Sequence, residues 1–131
     1  MKKYTKKTVR FSATIGVVEG YEFNNVHIDS AKDIVSLVWQ KYADIVFDEI
    51  VVYVSTIIVE SRAIYQEERG CPKGGEKTAT VFGEANPLIV EDMELWKKAV
   101  IEIIKLIKDE LKQESIFLIF TDVDESIYFE Y

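Results

Sequence analysis

Thr8-Val9-Arg10-Phe11-Ser12-Ala13-Thr14-Ile15-Gly16-Val17-Val18 is the stretch that decides the fold class, because it alternates without a break. Val9, Phe11, Ala13, Ile15 and Val17 face one way, and Thr8, Arg10, Ser12, Thr14 and Gly16 face the other. A period of two over this length predicts a strand with one buried face. Its second face is polar, so the sheet is covered on one side and either wet or lining something on the other.

Downstream, Glu19 to Ile28 reads as a connection holding Gly20, the pair Asn24-Asn25 and the sole histidine, His27. Ser30 with Asp33 three residues on fits a capping box, Asp29 being an alternative cap. Ala31, Ile34, Val35, Val38, Tyr42, Ile45 and Val46 then recur at helical spacing to about Phe47, where Asp48-Glu49 closes the helix. Ile50 to Tyr65 is rich in Val, Ile, Tyr and Thr and reads as a strand, longer than the usual ~5–6 residues, so a bulge or bend is expected. Its far half extends into an arm. Thr78 to Glu84 alternates again, and the join between the two runs predicts an antiparallel pair.

The second helix follows the turn signal Asn86-Pro87. Trp96, Ala99, Val100, Ile103, Ile104, Ile107 and Leu111 make its stripe, with Glu91, Asp92 and Glu94 at its start and Lys105, Lys108 and Lys112 at its end. That charge order suits the helix macrodipole, and Glu94 to Lys98 is an i,i+4 pair. Ser115 to Thr121 is a last buried strand. After the polar Asp122 to Ser126, the segment 127–131 alternates and forms a possible extra C-terminal strand. Strand, helix, two strands, helix and strand give an α+β, ferredoxin-like β-α-β-β-α-β two-layer sandwich. Its antiparallel sheet carries two helices on one face, with an extended β2-β3 arm. Residues 1–131 read as one such domain.

Charge narrows the partners. The chain carries 23 acidic and 16 basic side chains, a net charge of -7, which disfavours nucleic acid and anionic lipid. The basic cluster Lys2, Lys3, Lys6, Lys7 and Arg10 reads as a solvated tail entering the first strand. No apolar run approaches the ~18 residues of a membrane span, and no signal peptide follows Met1-Lys2-Lys3. A cytoplasmic location is the expectation, and the lone Cys71 fits it. The open face, with Ser12, Thr14, Tyr53 and Ser55, has to be covered or wetted. A homo-oligomer through that face or through edge strands is the expected cover.

Residues 66–77, Gln-Glu-Glu-Arg-Gly-Cys-Pro-Lys-Gly-Gly-Glu-Lys, are the segment that scaffold does not account for. Glycines permit close backbone approach and Pro72 stiffens the turn, a make-up found in binding loops as well as in hairpin tips. Gly70 and Gly75 have the spacing of a phosphate loop, but Glu76 intervenes before Lys77-Thr78 and a strand follows where a helix is needed, so nucleotide binding by that route is excluded. Cys71 beside Arg69 and Lys73 has nucleophile chemistry at hand, yet the only imidazole is His27, and a structural cysteine is the simpler reading. No second histidine or cysteine supports a soft-metal site, and no cofactor is expected. Asp122-Val-Asp124-Glu125 lacks the spacing of a calcium loop and reads as a solvated turn. Glu60, Arg62, Glu84 and Asn86 flank the Gly-rich loop, as a salt-bridged ribbon or as the mouth of a polar pocket. The candidate binding residues are therefore Arg62, Glu67, Arg69, Cys71, Glu76, Glu84 and Asn86.

No motif names a reaction. The expectation is a small homo-oligomeric domain that binds a small molecule or a protein through the arm at 66–77. The element order and chain length also resemble the layout of the tautomerase superfamily, whose members form trimers and whose chemistry rests on an amino-terminal proline. Here the prolines are Pro72 and Pro87, so the resemblance implies an isomerase-like enzyme lacking that proline. A structural component of a phage or mobile-element assembly is the third expectation.

Overall fold

In the computed structural model, residues 1–17 and 30–131 are described. The expected connection Glu19–Ile28 with His27, the end of the first strand at Val18 and the alternative cap Asp29 lie outside them. The elements in chain order are β1 (Lys2–Gly16), α1 (Ala31–Glu49), β2 (Ile57–Ala63), a short 3-10 turn (Glu67–Arg69), β3 (Glu76–Glu84), α2 (Met93–Glu110) and β4 (Leu118–Glu130). The strands form one sheet in the order β2-β3-β1-β4, each neighbouring pair antiparallel. This is the ferredoxin-like two-layer sandwich that the alternation and the two helical stripes predict.

The alternation of β1 sets the layers. Val9, Phe11, Ala13 and Ile15 are buried against both helices, with Ala79 and Val81 of β3 beside them. Phe11 stacks on Trp39 of α1 at 5.5 Å and meets Trp96 of α2 at 5.8 Å, so one strand residue anchors both helices. Fully burying a side chain of this size contributes on the order of 1.5–3 kcal/mol. The two tryptophans are packing residues, as their helical positions suggest. Lys41 and Tyr42 both donate to Glu110 (2.6 and 2.8 Å), tying α1 to the end of α2.

The helix ends follow the sequence signals. Ser30 caps α1 by accepting from the Asp33 amide, and Asp92 caps α2 by accepting from the Leu95 amide. The Glu94 partner is Lys97 at 3.3 Å, one residue nearer than the predicted Lys98.

Three boundaries differ from expectation. β2 is the short strand Ile57–Ala63, and just before it Ser55 and Thr56 pass close to Gly83, where the Ser55 carbonyl fills the space a Cβ would take. Tyr53 and Ser55 thus precede the sheet and do not lie on its open face. At the other end of the chain, β4 runs from Leu118 to Glu130 as one strand, with a bulge opposite Lys6 and Thr8. The supposed turn Asp122–Glu125 is part of it, and the segment expected as a fifth strand is its continuation. Its partner is the basic cluster, which is strand and not tail: Lys2 pairs with Glu130 and Lys6 with Ser126. Most of that ribbon is exposed on both faces, so its Lys2–Lys6 half carries no apolar pattern to announce the pairing.

Candidate active site

On the open face the polar residues of β1, β2 and β3 line up across the strands. Thr14 of β1 lies 3.5 Å from Thr80 of β3, the Thr80 hydroxyl donates to Ser61 of β2 (2.9 Å), and Ser61 and Thr78 share a hydrogen bond of 2.8 Å. The row ends at Glu76, the first residue of β3, which pairs with Ala63. Beyond it the sheet gives way to a groove of about 720 Å³ lined by Tyr65, Gln66, Arg69, Gly70, Pro72, Glu76 and the segment Gln113–Ser115. That volume lies in the range of small-molecule sites.

Local folding places these groups. The 3-10 turn Glu67–Arg69 ends on Gly70, whose φ of 98° demands glycine, and the turn carries Arg69 onto the groove wall. Tyr65 donates from its hydroxyl to Glu76 Oε2 at 3.1 Å, so that one carboxylate oxygen is fixed by a neighbour. Gln113 arrives from the opposite side. After α2, Lys112 adopts a left-handed φ of 50°, and the amides of Lys112 and Gln113 bond back to the Asp109 and Lys108 carbonyls. This is a Schellman closure with lysine where glycine is usual. The Gln113 side-chain nitrogen donates to the Leu111 carbonyl at 3.0 Å, which leaves its oxygen facing the groove.

A second groove, about 540 Å³, opens on the helix side of the same strand pair and is lined by Ser30, Glu60, Ser61, Arg62 and Lys77. Glu60 accepts from the Ser30 hydroxyl (2.6 Å) and from the amides of Ala31 (2.9 Å) and Lys32 (3.1 Å). Partial burial works to raise its pKa, but these three donors outweigh it and hold the carboxyl below the usual range. Glu60 therefore serves the amino end of α1.

The candidate residues separate accordingly. Arg69 and Glu76 share the larger groove, and Arg62 lies in the smaller one, opposite Lys77 in the β2–β3 register. The expected salt-bridged ribbon does not form: Glu60 turns to α1, and Glu84 pairs with Arg10 of β1 at 2.9 Å. Asn86 is occupied in a turn, its side-chain oxygen accepting from the Leu88 amide at 3.0 Å. Glu67 is exposed on the 3-10 turn. Cys71 is buried, its thiol directed at the Pro72 and Ala63 carbonyls, which makes it a packing residue of the loop. Sequence reasoning missed Tyr65 and Gln113. The two come from different segments, and no spacing links them. Among the described residues no three His, Cys, Asp or Glu gather as a metal site, and no helix is long and apolar enough to cross a membrane.

The fold and site together define a ferredoxin-like sandwich with a groove at one end of its sheet, where Arg69, Glu76 and Glu114 put charges of both signs on the wall. The chain belongs to the SAM lyase family, which it matches over residues 6–130. Among solved structures it is similar to a phage SAM lyase in complex with S-methyl-5'-thioadenosine, at 16% identity and a TM-score of 0.55 over 92% of this chain and 87% of that one. It is also similar to a phage SAM lyase in the apo state, at 14% identity and a TM-score of 0.56 over 93% and 87%. These structures share its fold. No curated protein sequence matches the chain. Family membership overturns all three expected functions, the general binding module, the tautomerase-like isomerase and the structural component. One wall of the groove is the loop that composition singled out, but the segment Gln113–Ser115 meets it only in the fold, which is why composition pointed to a binding loop and no further.

Proposed function

We propose that this chain is an enzyme that cleaves S-adenosylmethionine, releasing S-methyl-5'-thioadenosine, in the groove lined by Tyr65, Arg69, Glu76 and Gln113. The family match over residues 6–130 carries the reading, and the groove's chemistry supports it. Removing S-methyl-5'-thioadenosine from the substrate breaks the bond between the sulfonium sulfur and the four-carbon amino-acid arm. The bonding pair stays on sulfur, which becomes a neutral thioether, so departure requires no general acid. A lyase adds no water, and the carbon left behind takes its new bond from the arm's own carboxylate oxygen, closing a ring with no proton transferred. Charge balances, because the sulfonium's positive charge is cancelled by the carboxylate's negative one.

Such a reaction needs a folded arm and an environment that tolerates the sulfonium, more than it needs a strong base. Glu76, with one oxygen engaged by Tyr65, supplies negative charge beside the cation. Arg69 supplies positive charge to orient the arm's carboxylate. Incubating the purified chain with S-adenosylmethionine and following products by mass spectrometry tests the reading. S-methyl-5'-thioadenosine and a cyclised four-carbon product are expected, and release no faster than without protein would sink it.

We also infer that the open sheet face is covered by further copies of the chain. Ile57 (57% exposed), Ile119 (44%) and Phe117 (78%) stand in solvent there or at its border, and burying such surface favours association. Light scattering should give a multiple of 15.1 kDa, and a stable single-chain mass would refute the inference.

A further inference from the structure

β1 ends at Gly16, and nothing in its backbone calls for glycine. Gly70, Gly74 and Gly75 are the glycines with positive φ among the described residues, whereas Gly16 pairs in regular register with Thr78. Within a strand, glycine is less stable than alanine and commonly marks a place where another group comes close. The close groups are identifiable. A Cβ on Gly16 would sit 2.7 Å from Glu76 Oε1 and 2.7 Å from Gln113 Oε1. Both atoms are tips of flexible side chains, so an added methyl displaces the tips and not the strands.

Each tip is aimed at this spot by a tie on its far side. Glu76 is held through its other oxygen by the Tyr65 hydroxyl at 3.1 Å. Gln113 is held through its amide nitrogen by the Leu111 carbonyl at 3.0 Å, and its backbone is fixed by the closure of α2. Two acceptor oxygens from opposite walls therefore converge over the hydrogen that Gly16 carries in place of a side chain. An acceptor pair of this kind suits a cationic group or an N–H donor.

We propose that Gly16 is a positioning residue: its missing side chain lets Glu76 Oε1 and Gln113 Oε1 converge at the end of β1 as an acceptor pair for a positively charged group of the substrate. The identity of that ligand rests on the S-adenosylmethionine reading, while the placement of the two side chains does not. The test uses Gly16→Ala in the full chain, with three measurements. The thermal midpoint is expected to hold or rise, since alanine suits a strand better. The carbon-13 signal of the Glu76 carboxyl is expected to shift. The kcat/KM for S-adenosylmethionine is expected to fall by between about tenfold and about a hundredfold, the scale of an ångström's misplacement.

Glu76→Asp, one methylene shorter, returns space to the methyl. Gly16→Ala should therefore lower kcat/KM much less in that background than in the wild type, a coupling that independent sites lack. Wild-type kcat/KM in Gly16→Ala, or an equal loss in both backgrounds, would overturn the proposal. If the wild-type chain releases no S-methyl-5'-thioadenosine, the functional reading fails by itself, and the carboxyl signal still decides: unchanged, it removes Gly16 from this role, and shifted, it keeps Gly16 there.

Discussion

Glu60 and Glu76 sit on the same pair of strands, one on each face, and their surroundings could hardly differ more. Glu60 reaches the helix side, where a hydroxyl and two backbone amides donate to it. Those donors belong to the first turn of α1, whose amides otherwise lack intrahelical partners. Glu76 reaches the open side, where the Tyr65 hydroxyl holds one oxygen and the second faces Gln113 across the end of β1. Both line grooves of a size that could admit a ligand. The difference teaches that groove volume and a carboxylate do not by themselves make a site. What separates the two is whether the chain's own donors have already satisfied the charge.

The sharpest way to break this contrast is Glu76→Gln. The amide keeps the shape and can still accept from Tyr65, but it removes the negative charge from the groove. Release of S-methyl-5'-thioadenosine should slow by about 100- to 1,000-fold, the range for deleting one preorganised electrostatic group. The thermal midpoint should stay near the wild-type value, because Glu76 is partly exposed and packs no core residue. Turnover unchanged in this variant would move the active site away from the 720 Å³ groove altogether.

How far the sequence could have foretold the contrast depends on the kind of signal involved. The fold was legible because burial imposes a period: Val9 to Val17 alternates at two, and Trp96 to Leu111 recurs at helical spacing. Where burial is absent the signal weakens, and so the Lys2–Lys6 half of the ribbon read as a tail, while the alternation after Ser126 read as a separate strand without its partner. The loop 66–77 stood out by composition, which brought in Arg69 and Glu76, along with Cys71 and Glu67, which serve the loop or face solvent. Gln113 carried no signal, because a glutamine after a helix is ordinary and its orientation comes from the left-handed Lys112 before it. Gly16 was visible only as a polar-face position within the alternation. Its meaning lies in two side chains that arrive from Glu76 and Gln113, and no one-dimensional pattern places them there.

A smaller effect tests the other half of the comparison. Glu60→Gln leaves an acceptor for the α1 amides but removes the charge that complements the helix's positive end, at a cost of about 0.5–1 kcal/mol at neutral pH. Its pH dependence has a definite sign. The folded-state pKa of Glu60 lies below the ordinary 4.5, so protonation is harder in the folded chain than in the unfolded one. The stabilisation is then complete above the ordinary carboxylate value and is lost as pH falls through the depressed folded value. Thermal midpoints of wild type and Glu60→Gln should accordingly differ at neutral pH and converge in acid, below that folded value. Turnover per folded chain should match the wild type throughout, since Glu60 already has its donors and faces away from Glu76. A midpoint gap that persists in acid would mean that shape and not charge matters at the α1 terminus. Lost turnover with an unmoved midpoint would make the smaller groove part of the active site, and the distinction between the two glutamates would collapse.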